Sequence, residues 1–592
     1  MRYDLREPGP PDQSGSATGS GATRRARGWR AAAFALLVFS RPLAGAEVEN
    51  YDVIVYGGSS AGVIAATQAA VMGKSTLLIA ETQHLGGMTA SGLGIADVGD
   101  PATIGGLAQA FYSYTHRYYS TATEKNAAPA QPEEVALANA ATGTGAMQFQ
   151  HEPHAAEAVF TAMLRGAGTT WVLGERLDRR SGVVRVGNRI VQIRLKSGRT
   201  FGARIFIDAT YEGDLLAAAG VPYRIGRESR AAFGESLAGV QRNPDLRGEV
   251  DPFRLPAQPG SGLLPGVAPV APDADGTGDT RVQQYNFRLC LTNAPANRLP
   301  ITRPASYDRS NYELLARNLQ SGGNWRLADV CKVQLLPGQK ADINATGSFS
   351  TDMAGDHSWR WAEADDDERA TIQAQYHDYT QGMFWFLAND PAVPPSLRAE
   401  AAQWGLARDE FTDNDNWPWQ LYVREARRMI GSYTVTQHDC DHEVIVLDPV
   451  ALGSYAIDSH KVTLFVDQAG ALNTEGFFFH PVDPYRISYR AIVPLREDCT
   501  NLLVPVCLSA THVAFNSIRM EPVFMMLGHA AGAAASLAID QHATVQDVNY
   551  ATLARELLGD GQILTWSEDL PPLNIGWMSG VTRPIGRGQL EP

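Results

Sequence analysis

Glycines near residue 60 are spaced for contact with a dinucleotide. The stretch YDVIVYGGSSAG is an apolar run that ends in a turn, with Gly57 and Gly62 in the first and third places of the pattern G-x-G-x-x-G. The first glycine permits a tight turn into a helix, and the third lets helix and strand pack closely. Ser59 holds the second place, where a small side chain still leaves the backbone close to a pyrophosphate. The turn therefore predicts a site for a pyrophosphate group.

A carboxylate follows at the end of the next predicted strand, STLLIAE. The carboxylate of Glu81 can accept hydrogen bonds from both hydroxyls of an adenosine ribose, and it would repel a 2′-phosphate. The predicted β-α-β unit therefore favours FAD or NAD over NADP. Directly after Glu81, the run HLGGMTASGLG adds a second glycine cluster, which fits a loop lying along an extended dinucleotide. For this segment alone, an ordinary β-α-β crossover with a glycine turn is the alternative.

Further blocks along the chain resemble one family of flavoenzymes. In order, they are EPHAAEAVFTAML at 152–164, FIDATYEGDLLAAAGVPYRIGRES at 206–229, QLYVREARRMIGSYTVTQHDC at 420–440, GSYAIDSHKV at 453–462 and NLLVPVCLSATHVAFNSIRMEPVFMMLGHAAGAAASLA at 501–538. Over roughly residues 50–545 the chain is similar to the FAD-dependent oxidoreductase family, whose bacterial members are often labelled "xanthan lyase". The resemblance implies FAD as the cofactor and a glutathione-reductase-type FAD-binding fold. The run VPV at 504–506 departs from the glycine and arginine that the family more often has there.

The turn, the second glycine cluster and the resemblance together imply cofactor contacts from both ends of the chain. The expected contacts are Gly57, Gly58, Ser59, Ala61, Gly62, Glu81, Gly86, Gly87, Met88, Thr89, Asp208, Arg519 and Gly528. A helix that opens at Pro522 would direct its free N–H groups at the electron-rich edge of a reduced flavin. Ser59 is interpreted as a tolerated small residue, so Ser59→Gly is expected to keep or slightly improve flavin binding.

Two histidines are candidates for catalysis. His512 precedes the last long helix and could face the flavin ring. His460 could act as a general base toward substrate or as a hydrogen-bond partner of flavin. A purely structural role is the alternative for each. Asp458, Ser459 and His460 are consecutive in a predicted strand, so their side chains alternate between faces and cannot form a hydrolase triad. No metal site is expected, because no set of His, Cys, Asp or Glu has ligand spacing.

The predicted elements indicate an α/β fold. A Rossmann-like, discontinuous FAD-binding domain would contain a strand at 51–56, a helix at 61–72 and a β-meander at 170–206, with an inserted α+β substrate domain. The expected divisions are a signal peptide at 1–46, the first part of the FAD-binding domain at 47–230, a substrate or cap region at 231–485, the last part of the FAD-binding domain at 486–545 and a C-terminal extension at 546–592. Arg424, Arg427 and Arg428 are predicted on a helix as a solvated or ion-paired face, with a substrate carboxylate clamp as the alternative.

The amino terminus has the pattern of a secretory signal peptide. Four arginines precede the apolar run AAAFALLVFS, and PLAGA then supplies small residues for cleavage. The apolar run is too short to anchor the protein in a membrane. We expect an exported protein, periplasmic or secreted, and the pair Arg24-Arg25 leaves both ordinary secretion and twin-arginine export open. A net charge of −14 argues against a nucleic-acid partner.

The expected activity is the oxidation of a small hydroxylated molecule, carbohydrates included, or of an amine by hydride transfer to flavin. The partners would be that small-molecule substrate and an electron acceptor, oxygen or another. A polysaccharide lyase acting on a uronate-containing polymer is the second hypothesis, and it would need a base but no flavin. A flavin-binding protein without turnover is the third.

Overall fold

The computed structural model describes residues 48–125, 146–242, 246 and 249–566. The predicted signal peptide and the last part of the predicted C-terminal extension lie outside the described residues. The divisions drawn between the predicted domains stay predictions.

The amino-terminal part of the described chain begins with the predicted β-α-β unit. Its elements are β1 (Val48–Tyr56), α1 (Ser60–Val71), β2 (Thr76–Ile79), α2 (Gly87–Ala90), α3 (Gly106–Lys125), α4 (Pro153–Ala167), β3 (Thr170–Val172), β4 (Val183–Val186), β5 (Arg189–Arg194), β6 (Thr200–Asp208) and α5 (Asp214–Ala218). The predicted meander corresponds to β4, β5 and β6, which pair antiparallel in sequence order.

The middle of the chain mixes short strands with helices. Its elements are β7 (Tyr223–Arg224), α6 (Arg230–Phe233), β8 (Val267–Ala268), β9 (Leu289–Thr292), β10 (Arg298–Leu299), α7 (Glu313–Gln320), α8 (Leu327–Val330), β11 (Cys331–Leu336), β12 (Lys340–Ala345), α9 (His357–Trp361), α10 (Asp366–Asn389), α11 (Pro395–Ala401), β13 (Gly405–Ala407), β14 (Arg428–Met429), α12 (Gln437–Cys440), β15 (Pro449–Gly453), β16 (Ile457–Ser459), β17 (Thr463–Val466), β18 (Leu472–Glu475), β19 (Phe478–His480) and β20 (Tyr485–Ser488). Five of these strands form one sheet in the order β10-β13-β9-β12-β11.

The carboxy-terminal part returns to the first sheet. Its elements are β21 (Leu502–Leu503), α13 (His512–Ile518), α14 (Glu521–Asp540) and α15 (Tyr550–Gly559). The first sheet has seven strands in the order β3-β2-β1-β6-β5-β4, with β21 parallel to β6. Because β21 comes from the far end of the chain, the discontinuous α/β architecture is confirmed.

The sheet order brings three strand ends together. β1 runs parallel to β2 and to β6, with Tyr56 opposite Ile79 on one side and Asp208 on the other. Helices cover these strands, so the last four residues of β1 are fully buried, as in other parallel sheets. Ligands of open α/β sheets bind outside the carboxyl ends of such strands. The turn after β1 therefore opens toward the expected ligand edge.

The contact between α1 and α14 depends on small residues. A Cβ on Gly528 would lie 2.3 Å from the carbonyl oxygen of Ala61, and one on Gly532 would lie 2.5 Å from that of Ala65. The two helices therefore meet almost backbone to backbone. In the described part of the chain, α14 is the single helix long and apolar enough to cross a membrane, and its residues 521–539 are buried. It is the core helix of this fold.

Gly528→Ala is expected to lower the free energy of unfolding by about 1–3 kcal/mol, because the added methyl group overpacks the contact with α1. Gly559→Ala is the matched control, since a Cβ there meets nothing within 4 Å. Alanine also has the higher helix propensity, so the control should be as stable as the parent or more stable. Urea unfolding of both variants measures the difference, and equal losses at the two positions would contradict this packing.

Candidate functional site

The turn after β1 has the geometry that the glycine pattern predicts. Gly57 has φ of +115°, and a Cβ there would lie 2.5 Å from the carbonyl carbon of Ala209. A Cβ on Gly62 would lie 2.0 Å from the carbonyl oxygen of Gly57. Gly58 packs against β2, where a Cβ would lie 2.7 Å from that of Ala80. The first and third glycines thus close the turn, and no larger residue fits.

Ser59 has a larger role than the tolerated small residue that the sequence suggested. It is the N-cap of α1, and its Oγ accepts a hydrogen bond from the Gly62 N–H at 3.2 Å. The same hydroxyl donates to the carbonyl of Ala209 at 2.6 Å, just after β6. Ser59 therefore fastens the turn to the neighbouring strand, which glycine could not do.

A cavity of about 190 Å³ lies at this edge, and we call it the Glu81 cavity. Its lining includes Gly57, Gly58, Ser59, Glu81, Thr82, Gly87, Arg176, Thr210, Tyr211, Trp361, Arg369 and Trp419. Predicted cofactor residues thus share a wall with two arginines that the sequence analysis did not select. The glycines leave room for a pyrophosphate that a Cβ would fill, and the start of α1 offers N–H groups to it. These residues fit the adenosine and pyrophosphate part of FAD.

The charge of Glu81 depends on its neighbours. The Tyr56 hydroxyl donates a hydrogen bond to its Oε1. Burial, followed by the nearby carboxylates of Asp214 and Glu212, raises the pKa of Glu81 to about 8. Burial would also raise the pKa of Asp214, but several arginines, Arg369 foremost, hold it at about 2. Asp214 therefore carries the permanent negative charge, and Glu81 can donate or accept toward a ribose.

The second glycine cluster folds back onto the first turn. The Gly86 N–H donates to the Gly58 carbonyl at 2.8 Å, and the Met88 N–H donates to the Tyr211 hydroxyl at 2.9 Å. Gly87 has φ of +54° and lines the Glu81 cavity, where a Cβ would lie 2.3 Å from the Tyr211 hydroxyl. Gly87 therefore lines the cavity, while Gly86 and Met88 hold the segment against the turn after β1 and against Tyr211. Their contact with a dinucleotide stays a prediction.

Glu521 is an important residue to which the sequence analysis gave no role. At the first turn of α14, its carboxylate accepts hydrogen bonds from Ser60 at 2.6 Å, Thr89 at 2.8 Å and Tyr211 at 2.8 Å. Burial raises the pKa of Glu521, and the three hydroxyl donors oppose that rise. An acid immediately before the proline that opens a helix was the available signal, since acids favour helix amino termini.

Three of the predicted cofactor contacts serve the fold instead. Ala61 and Gly528 form the contact between α1 and α14 and do not line the Glu81 cavity. Asp208 accepts hydrogen bonds from the Thr210 N–H and hydroxyl and from the Leu216 N–H at 2.7 Å. Its carboxylate therefore holds the turn after β6, and its neighbour Thr210 reaches the cavity.

A second cavity, of about 360 Å³, contains one of the two predicted catalytic histidines, and we call it the His460 cavity. Its lining includes Asp97, Lys332, Asn344, Thr346, Asp352, Tyr422, Tyr455, Asp458, His460, Lys461, Phe477 and Arg519. Trp419 and Gln420 line the Glu81 cavity, and Tyr422 lines the His460 cavity. One short segment therefore forms part of both walls.

His460 is paired as a catalytic base would be. Its Nδ1 lies 2.7 Å from Asp352 Oδ2. Burial, then the positive charge of Arg424, lower the pKa of His460 below its ordinary value, although Asp352 opposes them. Burial would raise the pKa of Asp352, but Arg424 and His460 hold it at about 2. An ionised Asp352 accepts the Nδ1 proton of a neutral His460, which leaves Nε2 as the basic nitrogen.

Arg519 lies in this second cavity rather than in the Glu81 cavity. Its guanidinium donates to the Tyr422 hydroxyl at 2.8 Å and to the carbonyl of Asp458 at 2.9 Å. Its Nε is buried without a partner. Arg519 thus fixes Tyr422 and keeps one N–H donor uncommitted, whereas the prediction assigned it to the cofactor.

His512 is held away from both cavities. It is buried, with Nδ1 at 2.8 Å from Glu425 and Nε2 at 3.3 Å from the Asn516 amide. Its backbone N–H donates to Glu228 at 2.9 Å. His512 does not line either cavity, so this geometry favours the structural alternative.

The predicted arginine helix is wrong. Residues 424–427 are irregular, β14 begins at Arg428, and all three guanidiniums are buried. Each pairs with a carboxylate that is distant in sequence. Arg424 lies 3.1 Å from Asp352, Arg427 lies 2.9 Å from Asp214 and Arg428 lies 2.7 Å from Glu228.

One cluster in the described residues has ligand atoms close enough for a metal ion. Glu152, His154 and Glu410 place theirs within 4.8 Å of one another. Lys340 Nζ lies 2.7 Å from Glu152 and also pairs with Glu410 and with Asp409. A buried ammonium is therefore already shared among these acids.

Comparison with known proteins identifies the family. A family model for FAD dependent oxidoreductases matches residues 52–557. No curated protein matches the chain at a significant level. The solved structures to which it is similar include a flavin-containing monooxygenase from Stenotrophomonas maltophilia, at 17% identity over 31% of this chain and 44% of that chain, with a TM-score of 0.19. L-proline dehydrogenase from P. horikoshii has 16% identity over 31% of this chain and 60% of that chain, with a TM-score of 0.21.

The chain spans less than two thirds of either solved structure, whereas the family model covers most of the chain. The conclusion therefore rests on the family model, together with the glycine turns and the Glu81 cavity. This protein belongs to the FAD-dependent oxidoreductase family, and FAD is its cofactor.

Proposed function

We propose that this protein oxidises a small hydroxylated or amine substrate in the His460 cavity. The observation that carries the proposal is the His460–Asp352 pair, which faces a polar cavity sharing one wall segment with the Glu81 cavity. Bound FAD would supply the acceptor for a hydride. The chain's own contribution would be to hold the substrate and to take a proton from its hydroxyl or amine.

The proton would go to His460. A base must be unprotonated when substrate binds, and the lowered pKa of His460 meets that condition at neutral pH. Asp352 holds the imidazole by its Nδ1, so Nε2 is the atom that would receive the proton. Removing the hydroxyl proton in this way favours loss of hydride from the adjacent carbon.

The lining of the His460 cavity suits a polyhydroxylated substrate. Carboxylates of Asp97 and Asp458 can accept hydrogen bonds, and the Asn344 amide can both donate and accept. The Tyr422 hydroxyl is oriented by the guanidinium of Arg519, which also lines the cavity. Alternating donors and acceptors match the hydroxyls of a sugar better than they match an apolar ligand. A carbohydrate is therefore the first substrate class to test.

We also propose that the protein acts outside the cytoplasm. Support comes from the arginines, apolar run and small residues near the amino terminus, which follow the pattern of a signal peptide. Oxygen or another acceptor present there would reoxidise the cofactor.

The central test is an anaerobic screen of the purified, FAD-loaded protein. We expect a sugar, polyol or amine from the screen to bleach the visible flavin band. A colourless protein that takes up no FAD, and that lowers the viscosity of a uronate polymer, would overturn the proposal in favour of a lyase. A flavin that no substrate reduces, but that dithionite does reduce, would favour a flavin-binding protein without turnover.

Glu81→Ala is expected to weaken FAD retention by at least about tenfold, because it removes the carboxyl group that would form hydrogen bonds with the adenosine ribose. The flavin absorbance that remains with the protein after gel filtration measures retention. Glu497→Ala is the control, since Glu497 is exposed and does not line the Glu81 cavity. Equal retention by both variants would contradict the assignment of Glu81.

His460→Ala should slow anaerobic flavin reduction by about 10²–10⁴-fold, the usual contribution of a general base, while FAD stays bound. His512→Ala should chiefly lower the unfolding temperature, because His512 is a buried partner of Glu425. Stopped-flow absorbance and thermal unfolding of both variants separate the two roles. If reduction slows in the His512 variant and not in the His460 variant, the two assignments are reversed.

A further inference from the structure

A third cavity, of about 570 Å³, lies in the inserted region, and we call it the Tyr307 cavity. Its walls come from residues 306–315, residues 348–357 and the middle of α10, with Leu464 and the turn at 265–266 completing them. This volume is within the range of small-molecule sites in proteins. The chemistry assigned above to the other two cavities does not use it.

The Tyr307 cavity adjoins the proposed reaction site. Asp352 lines both the Tyr307 cavity and the His460 cavity. Along the chain, Gly347 lines the His460 cavity and Ser348 lines the Tyr307 cavity. The segment 347–352 therefore borders both cavities, and it carries the carboxylate that orients His460. A molecule in the Tyr307 cavity would lie directly behind that carboxylate.

The charges of the Tyr307 cavity select against anions. Three carboxylates, Asp308, Asp352 and Asp378, line it, and none of the described lining residues is a lysine or an arginine. Two lining residues each have a buried polar atom without a hydrogen-bond partner, namely Tyr307 Oη and His357 Nδ1. Burial lowers the pKa of His357, so its ring is neutral and can donate or accept. The cavity is therefore built for an uncharged ligand or a cation that forms hydrogen bonds.

The arrangement of the aromatic rings favours an uncharged ligand over a cation. The Tyr307 ring stacks on Tyr312 with centroids 5.4 Å apart, and Arg303 lies over it at 4.8 Å. Tyr312 also stacks on Tyr379 at 5.6 Å. These faces are occupied by neighbouring groups, so they do not form an open aromatic cage for an ammonium group. The Tyr307 hydroxyl has no hydrogen-bond partner, and the three carboxylates keep acceptor lone pairs beyond their present partners, among them Ser310 for Asp308, His460 for Asp352 and Ser306 for Asp378. These groups suit a ligand rich in hydroxyl groups.

We propose that the Tyr307 cavity binds an uncharged sugar unit, and that a longer glycan or glycoside extends from it past residues 347–352 into the His460 cavity. Only the second half, the placement of the reactive unit beside His460, rests on the proposed function. The protein would then prefer substrates of two or more linked sugars over monosaccharides.

The test measures binding without turnover. FAD-loaded protein is labelled and applied to an array of monosaccharides and longer glycans, neutral and uronate-bearing, together with immobilised alkylamines, and the best binder is titrated in solution. We expect neutral glycans of two or more units to bind most tightly. Ala374→Trp, at an exposed position of α10 that lines the cavity, should weaken their binding by at least about tenfold. Ala399→Trp is the control on α11, because Ala399 is also exposed and does not line the Tyr307 cavity.

Tyr307→Phe provides a second variant that keeps the ring stack and removes only the uncommitted hydroxyl. We expect it to weaken the same glycan about threefold or more, as for one lost hydrogen bond. The inference is overturned if no glycan binds, if monosaccharides, uronates or amines bind best, or if Ala374→Trp behaves like Ala399→Trp. A glycan that binds with the expected variant pattern and never bleaches the flavin would instead count against the proposed oxidation and leave the sugar site standing.

Discussion

The close contact between α1 and α14 is the constraint on which the rest of the site depends. Because small residues let the two helices meet almost backbone to backbone, the first turn of α14 reaches the turn that follows β1. There the Glu521 carboxylate accepts hydrogen bonds from the hydroxyls of Ser60, Thr89 and Tyr211, which belong to three separate segments. A buried carboxylate is tolerated only with such partners, so these three segments are held in one arrangement.

Asp352 is the corresponding junction of the inserted region. Its two oxygens lie near different groups, with Oδ2 at 2.7 Å from His460 and Oδ1 at 3.1 Å from Arg424. Arg424 in turn lies over the Tyr422 ring at 4.6 Å, and Tyr422 accepts from Arg519. One carboxylate therefore links the histidine to the wall of the His460 cavity. Asp352 therefore influences both the position of His460 and the charge around it.

Local patterns were enough to predict the elements with strong periodicity. The strands and helix around the first glycine turn and the core helix α14 were expected, because apolar spacing and glycine turns act over a few residues. The placement of Glu81 and Gly87 at the turn after β1 was expected for the same reason, and their contact with the cofactor stays a prediction. The sequence also pointed to His460, although it offered no way to prefer that histidine over His512.

The sequence-based predictions fail where contacts between distant residues determine the local conformation or the role of a side chain. Arg424, Arg427 and Arg428 have a helical spacing, but each pairs with a carboxylate far away in sequence, and the separations run from 64 residues for Glu363 to 213 residues for Asp214. Asp208 and Gly528 stand beside correct motifs, yet one is used by its own turn and the other by a neighbouring helix. Charges and small residues do not reveal their partners in a single sequence, because many distant residues could satisfy them.

The position of Glu521 along the chain also constrains the order of events during synthesis. Its bond to Ser60 joins residues 461 positions apart. The first sheet can begin to form early, but the turn after β1 stays without its carboxylate until the ribosome has released the last long helix. A nascent or truncated chain would therefore lack the finished cradle, and stable cofactor loading belongs to the completed polypeptide.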